Sequence, residues 1–322
     1  MALGLAAWIM AQLPLSALQQ SLANLGPSQW LLWIVLNLAV IILLTGRWLV
    51  LTRAMALATG FLHLLRVRQA GQFISFVTPG PQFGGEPLQV YWLWHRYSVP
   101  GHAAFLAVGL DRCYELWVNF AVLLIAALVL LTSTSVDFVD WRLVAAALLG
   151  VMLAMTASGW VLLRQPVRID AFIKRLTGRW RQHSRLREGQ IHWSRMHGLL
   201  QHVVAGQRPA LAISLALSLL AWAGMMAEFR LLLLFVDVPS DPTTFVFLFT
   251  VVRLAFLLPL PGGIGSVEAA LFWAFQALAL PLPAAAALII LMRLRDVVIL
   301  LAGAMMLPGL HTAMPRAEQS DS

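Results

Sequence analysis

The sequence predicts an all-α, polytopic integral membrane bundle with two re-entrant broken-helix hairpins and an inverted-repeat core. Three observations carry this. Hydrophobic residues make up 60% of the 322 and charged residues 11%, with a mean hydropathy of +0.81; soluble domains carry roughly a quarter charged residues. Continuous apolar runs long enough to cross ~30 Å of hydrocarbon as helices recur along the chain, without the alternation of a transmembrane strand. Two short segments share the pattern Pro-Gly-x5-Glu: Pro79-Gly80 through Gly84-Gly85-Glu86, and Pro261-Gly262-Gly263-Ile264-Gly265-Ser266-Val267-Glu268.

Residues 1–27 read as an interfacial segment outside the cytoplasm, interrupted by Gln12, Pro14, Gln19, Gln20 and Gly26. The first 46 residues lack Lys and Arg, so no cleavable signal peptide is expected. Residues 28–308 form the transmembrane domain, and 309–322 a polar cytoplasmic tail. Trp30–Val50 is the first span, with Arg47 and Arg53 as anchors at its inner end. Residues 54–78 and 86–94 flank the first Pro-Gly break, with Arg66, Arg68, His95 and Arg96 at the mouths. They read as a hairpin entering from the cytoplasm.

Pro100–Leu131 runs outward, Thr132–Asp140 is an outer loop, and Trp141–Leu163 returns. Residues 164–208 hold ten Lys/Arg against Asp170 and Glu188. Such a basic loop belongs on the cytoplasmic side and can also meet anionic headgroups. No recognised nucleic-acid fold accompanies the charge, so no nucleic-acid partner is expected. Residues 210–236 run outward. Residues 243–258 and 266–279 flank the second break as a hairpin of opposite sense, and 284–307 is the last span. The count is five spans, N-terminus outside and C-terminus inside.

The breaks carry the expected chemistry. Pro blocks a continuing helix and Gly accepts left-handed backbone. Irregular backbone survives at membrane depth only where protein buries it or water reaches it. Paired breaks in two halves of a chain point to a transport site. Helix starts near Glu86-Pro87 and Ser266-Val267 would present free N–H groups and a positive dipole end, which suit phosphate. Gly80, Gly84, Gly85, Gly262, Gly263 and Gly265 leave room for a headgroup. Glu86 and Glu268 either cap their own helices and pair with arginine, or contact a cationic headgroup or couple to protons.

Asp111 and Glu115 share a helix face, so the pair needs a cation. Arg253 and Arg293 from other helices are the candidate partners. Together with Arg112 they form either a structural ion-pair network or a phosphate site. Arg295 and Asp296 also interrupt the last span. Trp92, Trp94 and Tyr97 read as interface aromatics, and the single Cys113 as a buried thiol. His183, His192, His197 and His202 in the basic loop read as solvated. No nucleophile–base set, metal-ligand spacing or Walker A appears, so no enzymatic activity, metal or cofactor is expected.

These residues resemble the lysylphosphatidylglycerol synthase transmembrane (flippase-like) family over roughly residues 28–308. The matching elements are the two Pro-Gly motifs, Asp111-Arg112 with Glu115, Arg253 with Pro259, and the Arg293 helix. The resemblance implies movement of an aminoacylated phosphatidylglycerol, or another polyprenyl lipid or glycolipid, between leaflets of a bacterial inner membrane. No soluble aminoacyltransferase domain follows residue 308, so synthase activity is not expected. Family members usually begin with a basic segment and a span before the equivalent of Trp30; here that region is weak, as either a degenerate span or a late start would leave it. The expected partners are membrane lipids with anionic or phosphate-bearing headgroups. Lipid-biosynthesis enzymes and a second copy in a homo-oligomer stay open as partners. The alternative functions are an accessory or scaffold protein acting through the basic loop, and a lipid headgroup transferase.

Overall fold

A computed structural model describes residues 26–78, 84–133, 138–164, 184–239 and 241–308, with backbone alone over 184–192. Residues 1–25, the centre of the first break with Gly80, residues 165–183 of the basic segment and the C-terminal tail lie outside the described residues. Among the described residues the chain is all-helical. The α-helices are α1 (Pro27–Ala54), α2 (Phe61–Val77), α3 (Glu86–Arg96), α4 (Gly101–Leu130), α5 (Trp141–Arg164), α6 (Ser184–Gly206), α7 (Arg208–Phe235), α8 (Pro242–Ala255), α9 (Ser266–Ala277) and α10 (Leu282–Met306).

Four of them, α1, α4, α5 and α7, are long and apolar enough to cross a membrane. Helix α10 has the length, 25 residues or about 37 Å, but holds Arg293, Arg295 and Asp296 mid-helix. The helices around the breaks are shorter. Helix α3 has 11 residues and α9 has 12, so each extends less than ~20 Å at 1.5 Å per residue. Neither spans a ~30 Å core alone.

The helix boundaries reveal an internal repeat. Helices α1 and α7 start at residues 27 and 208 and end at 54 and 235, an offset of 181 at both ends. Helices α2 and α8 start 181 apart, α3 and α9 end 181 apart, and α4 and α10 start 181 apart. Each repeat is thus a long helix, two short helices around a break, and a second long helix.

The repeats are inverted. Along the α1–α7 interface Trp33 meets Glu228, Val40 meets Gly224, and Arg47 meets Ser218. One number rises as the other falls, so the equivalent helices pack antiparallel. The interface contacts exchange under the offset: Arg47 bonds Ser218, and their equivalents Glu228 and Asn37 bond each other.

Both short-helix pairs fold back as hairpins. In the first, the Gly85 N–H donates to Ser75 Oγ at 2.9 Å. In the second, Ser266 Oγ donates to the Ala255 carbonyl at 3.1 Å, and Phe247 meets Trp273 across the pair. Gly85 lies so close to α2 that a Cβ there would fall 2.0 Å from the Gly71 carbonyl oxygen. Gly262 holds a left-handed φ of 58° at the second break, against the Phe76 ring of the first hairpin.

Each repeat has its own apolar core. Trp48, Leu64, Val67, Trp92, Leu93 and Ala104 fill the first. Phe247, Leu271, Phe275 and Leu288 lie in the larger second core, which extends onto α4 and α5. Water-driven burial does not hold helices together in lipid; close packing and interhelical polar contacts do. Gly303 of α10 accordingly sits against the Gln69 backbone of α2, locking one repeat to the other.

Four expectations change. Residues 184–206 of the basic segment form a helix; Met196, Leu199, Leu200 and Val203 recur at helical spacing and meet Leu106 and Ala107 of α4. Trp92 is 2% exposed and belongs to the first core instead of an interface belt. Cys113 is exposed on the outside of the bundle, because it stands on the face of α4 opposite Asp111. Arg47 is 1% exposed instead of anchoring a span end.

Candidate functional site

Two ion-pair clusters occupy equivalent places in the repeats. In the first, Asp111 on α4 receives two arginines. Arg47 Nε donates to Oδ1 at 2.8 Å, and Arg68 Nη1 to Oδ2 at 2.8 Å. Glu115, one turn further, lies 3.5 Å from Arg68 and 3.6 Å from Arg47. Arg112 contacts Glu86 at 2.7 Å and Glu115 at 3.0 Å. Three guanidinium groups thus balance three carboxylates, and each side chain has an opposite charge at contact distance. The cations that Asp111 and Glu115 require are Arg47, Arg68 and Arg112; neither Arg253 nor Arg293 reaches them.

In the second cluster, Arg293 Nε donates to Glu268 Oε1 at 2.7 Å, and Arg293 Nη1 to Asp296 Oδ2 at 3.1 Å. Arg293 also donates to the Gly262 and Gly263 carbonyls, at 3.1 and 3.3 Å, and so ties down the break itself. Arg295 Nη1 donates to Glu228 Oε2 at 3.0 Å, and Trp33 Nε1 donates to Glu228 Oε1 at 3.1 Å.

The half-helix starts are occupied by their own acids. Glu86 Oε2 accepts the Gly84 N–H at 2.8 Å. Glu268 Oε2 accepts the Gly265 N–H at 2.7 Å. With Ser75 Oγ on the Gly85 N–H, three amide donors in position for a phosphate already have partners. Both halves of the capping alternative are therefore present: each acid satisfies backbone near its helix start and pairs with an arginine.

Between the clusters lies a cavity of about 220 Å³. Asp111, Arg112, Glu115 and Arg253 line it. Gly84, Gly85, Glu86, Gly262, Gly263, Gly265, Ser266, Glu268 and Arg293 are absent from its lining and form the supporting layer instead. The wall contains polar residues that the motif did not mark, including Arg68, Gln69, Gln72, Glu228, Arg295 and Asp296. One signal for Glu228 was available: it is an acid within the apolar run 210–236, and charge at membrane depth marks function or pairing.

Arg253 differs from the other arginines of the wall. Among the described residues no carboxylate forms an ion pair with it. Its guanidinium stands 4.7 Å from the Trp222 ring centroid and 5.1 Å from that of Phe249, and Nη2 approaches Met225 Sδ at 3.1 Å. Aromatic faces and sulfur stabilise a cation without neutralising it. A second cavity of about 100 Å³ shares Arg112, Glu115 and Arg253 with the first, and Leu44, Leu116, Trp222 and Leu257 give it largely apolar walls.

Residues 1–303 match the family model described as the lysylphosphatidylglycerol synthase TM region. The chain belongs to this family. It is 27% identical over 268 residues to a UPF0104 membrane protein of Methanothermobacter thermautotrophicus, covering 78% of this chain and 76% of the relative. A second UPF0104 membrane protein of that organism is 27% identical over 259 residues, covering 75% of this chain and 71% of the relative. Family membership and the long apolar helices together establish a multi-pass membrane protein.

Proposed function

We propose that this protein moves a phospholipid or lipid-linked intermediate between the leaflets of the bacterial inner membrane, as a transporter and not an enzyme. The observation that carries the reading is Arg253: a guanidinium without an ion-pair partner among the described residues, in a charged cavity where two inverted repeats meet. Guanidinium binds phosphate in bidentate geometry. The adjoining apolar cavity supports the same reading, because a lipid needs a polar place for its headgroup and an apolar path for its tails.

The mechanism follows from the repeats. Each hairpin is re-entrant in this reading and is fastened to the next long helix, Glu86 to Arg112 and Glu268 to Arg293. The two units can rock against each other about the antiparallel α1–α7 seam. Because the repeats are inverted, exchanging their conformations would turn the cavity toward the other leaflet. The ion pairs keep each broken backbone intact during that motion, while Arg253 stays available to the headgroup.

Leaflet-resolved lipid mass spectrometry in a deletion strain tests this. Wild type and Arg253→Gln are restored at equal expression. Transport requires one lipid to accumulate in one leaflet on deletion, with wild type alone restoring it. Changed total lipid without leaflet bias, rescued equally by both, would instead favour an accessory or enzymatic role.

A further inference from the structure

The fixed charges around the cavity cancel. Among the described residues, the carboxylates of its wall and of the layer behind it each touch a guanidinium. Asp111 is held by Arg47 and Arg68, Glu115 by Arg68 and Arg112, and Glu86 by Arg112. Glu268 is held by Arg293, Asp296 by Arg293 and Arg295, and Glu228 by Arg295. The first cluster is neutral by itself, with three acids against Arg47, Arg68 and Arg112. The second sets three acids against Arg293 and Arg295, and Arg253 supplies the remaining positive charge from the cavity wall. The empty site therefore carries no net charge.

Nothing in the wall is placed to take up a compensating cation. Protonating one of these carboxylates would strip a buried guanidinium of its counter-charge, which is strongly unfavourable. Glu228 is held further in its charged form by Trp33 Nε1 and Asn37 Nδ2. Among the described residues no histidine, lysine, cysteine or tyrosine lines the cavity, so no group there changes charge near neutral pH. A sodium ion would likewise have to displace an arginine to reach a carboxylate. An anion bound at Arg253 thus adds a negative charge that the site does not cancel.

We infer that an anionic headgroup crosses with its charge uncompensated, so that the membrane potential drives it and proton and sodium gradients do not; this rests on the lipid-transport reading above. Per monoanionic lipid, one negative charge moves and no ion returns. Because the empty site is neutral, its return is indifferent to the potential, and the loaded step carries the electrical work. A cell interior at negative potential expels the headgroup, which sets the direction from inner to outer leaflet. For one charge, about 100 mV corresponds to about fiftyfold between the leaflets.

The test uses proteoliposomes of the full chain in zwitterionic lipid with a trace of labelled phosphatidylglycerol. A potassium gradient with valinomycin sets the potential. Gradients of pH or sodium are imposed in separate vesicles with the potential clamped at zero. The labelled lipid is expected to accumulate on the positive side, about fiftyfold at about 100 mV. It should reverse when the potential is reversed and ignore the other two gradients. Labelled phosphatidylethanolamine, which has no net charge, should gain no bias. Arg253→Gln should lose the potential-driven movement.

Accumulation driven by a pH or sodium gradient overturns the inference and leaves lipid transport standing. So does movement that equalises phosphatidylglycerol between the leaflets whatever the potential, or a potential-dependent bias of phosphatidylethanolamine. Potential-driven movement undiminished in Arg253→Gln puts the path outside this cavity and overturns the assignment of the charge to it. No movement above protein-free vesicles under any gradient overturns the lipid-transport reading itself.

Discussion

Arg112 and Arg293 stand 181 residues apart at equivalent positions of the two repeats, and each grips the carboxylate beside the half-helix start of its own repeat. The match extends one turn further: Arg112 pairs with Glu115 and Arg293 with Asp296, both three residues on. Each hairpin is thereby fastened to the long helix that follows it.

Arg293→Met is expected to destabilise the protein by about 3 kcal/mol, because it leaves the buried Glu268 carboxylate without its cation. Adding Glu268→Gln should recover part of the loss. Thermal unfolding in detergent of the two single variants and the double gives the coupling. An interaction energy above about 1 kcal/mol is expected, whereas additive losses would contradict the pairing.

Asp111→Asn should be worse than Glu115→Gln. Asp111 answers two guanidinium groups at 2.8 Å, and Arg47 has no route to water at 1% exposure. A loss of about 3–5 kcal/mol or failure to accumulate is expected. Glu115 is 31% exposed along its side chain and shares longer contacts with Arg47 and Arg68, so its loss should be smaller. Expression level and unfolding temperature of the two variants check the order.

Gly85→Ala and Gly262→Ala should both disrupt the breaks, for different reasons. At Gly85 the added methyl meets backbone oxygen, which cannot rotate away. At Gly262 it meets the Phe76 ring, and a φ of 58° also strains any side chain. Adding Phe76→Ala should therefore relieve Gly262→Ala only in part. Protease susceptibility of the purified variants reads this, and full rescue by Phe76→Ala would show that backbone strain is negligible.

Asp241 caps α8 by accepting the Thr244 N–H at 3.0 Å. That hydrogen bond holds its pKa below the usual carboxylate value. The stabilisation is therefore present above the unfolded-state pKa and is lost as pH falls through the lower folded-state value. Asp241→Ala is expected to cost about 1 kcal/mol near neutrality and Asp241→Asn much less. The gap between wild type and Asp241→Ala should close in acid; a gap independent of pH would contradict the cap.

Much of the fold was legible in the residues. Apolar runs locate the long helices because a span needs some twenty such residues, and Pro259, Pro261 and Gly262 mark a break because no helix continues through them. The repeat was visible only as two motifs. Gln72 and Arg253 are equivalent by position and differ in chemistry, so residue identity conceals what the helix boundaries reveal. Partners of buried charges were also illegible. Arg47 resembles an interfacial anchor by its place near a span end, and only packing against α4 brings it to Asp111. The basic segment hid α6 because its charge outweighs the apolar stripe at Met196, Leu199 and Val203.

Transbilayer movement of labelled phosphatidylglycerol in proteoliposomes of the full chain tests the central claim most directly. Headgroup exposure in each leaflet is followed over time for wild type, Arg253→Gln and Arg253→Lys at matched protein content. Wild type should move the lipid well above protein-free vesicles, Arg253→Gln should fall close to that background, and Arg253→Lys, which keeps charge without the bidentate fork, should lie between. Equal rates in all three would contradict transport through the cavity between the repeats.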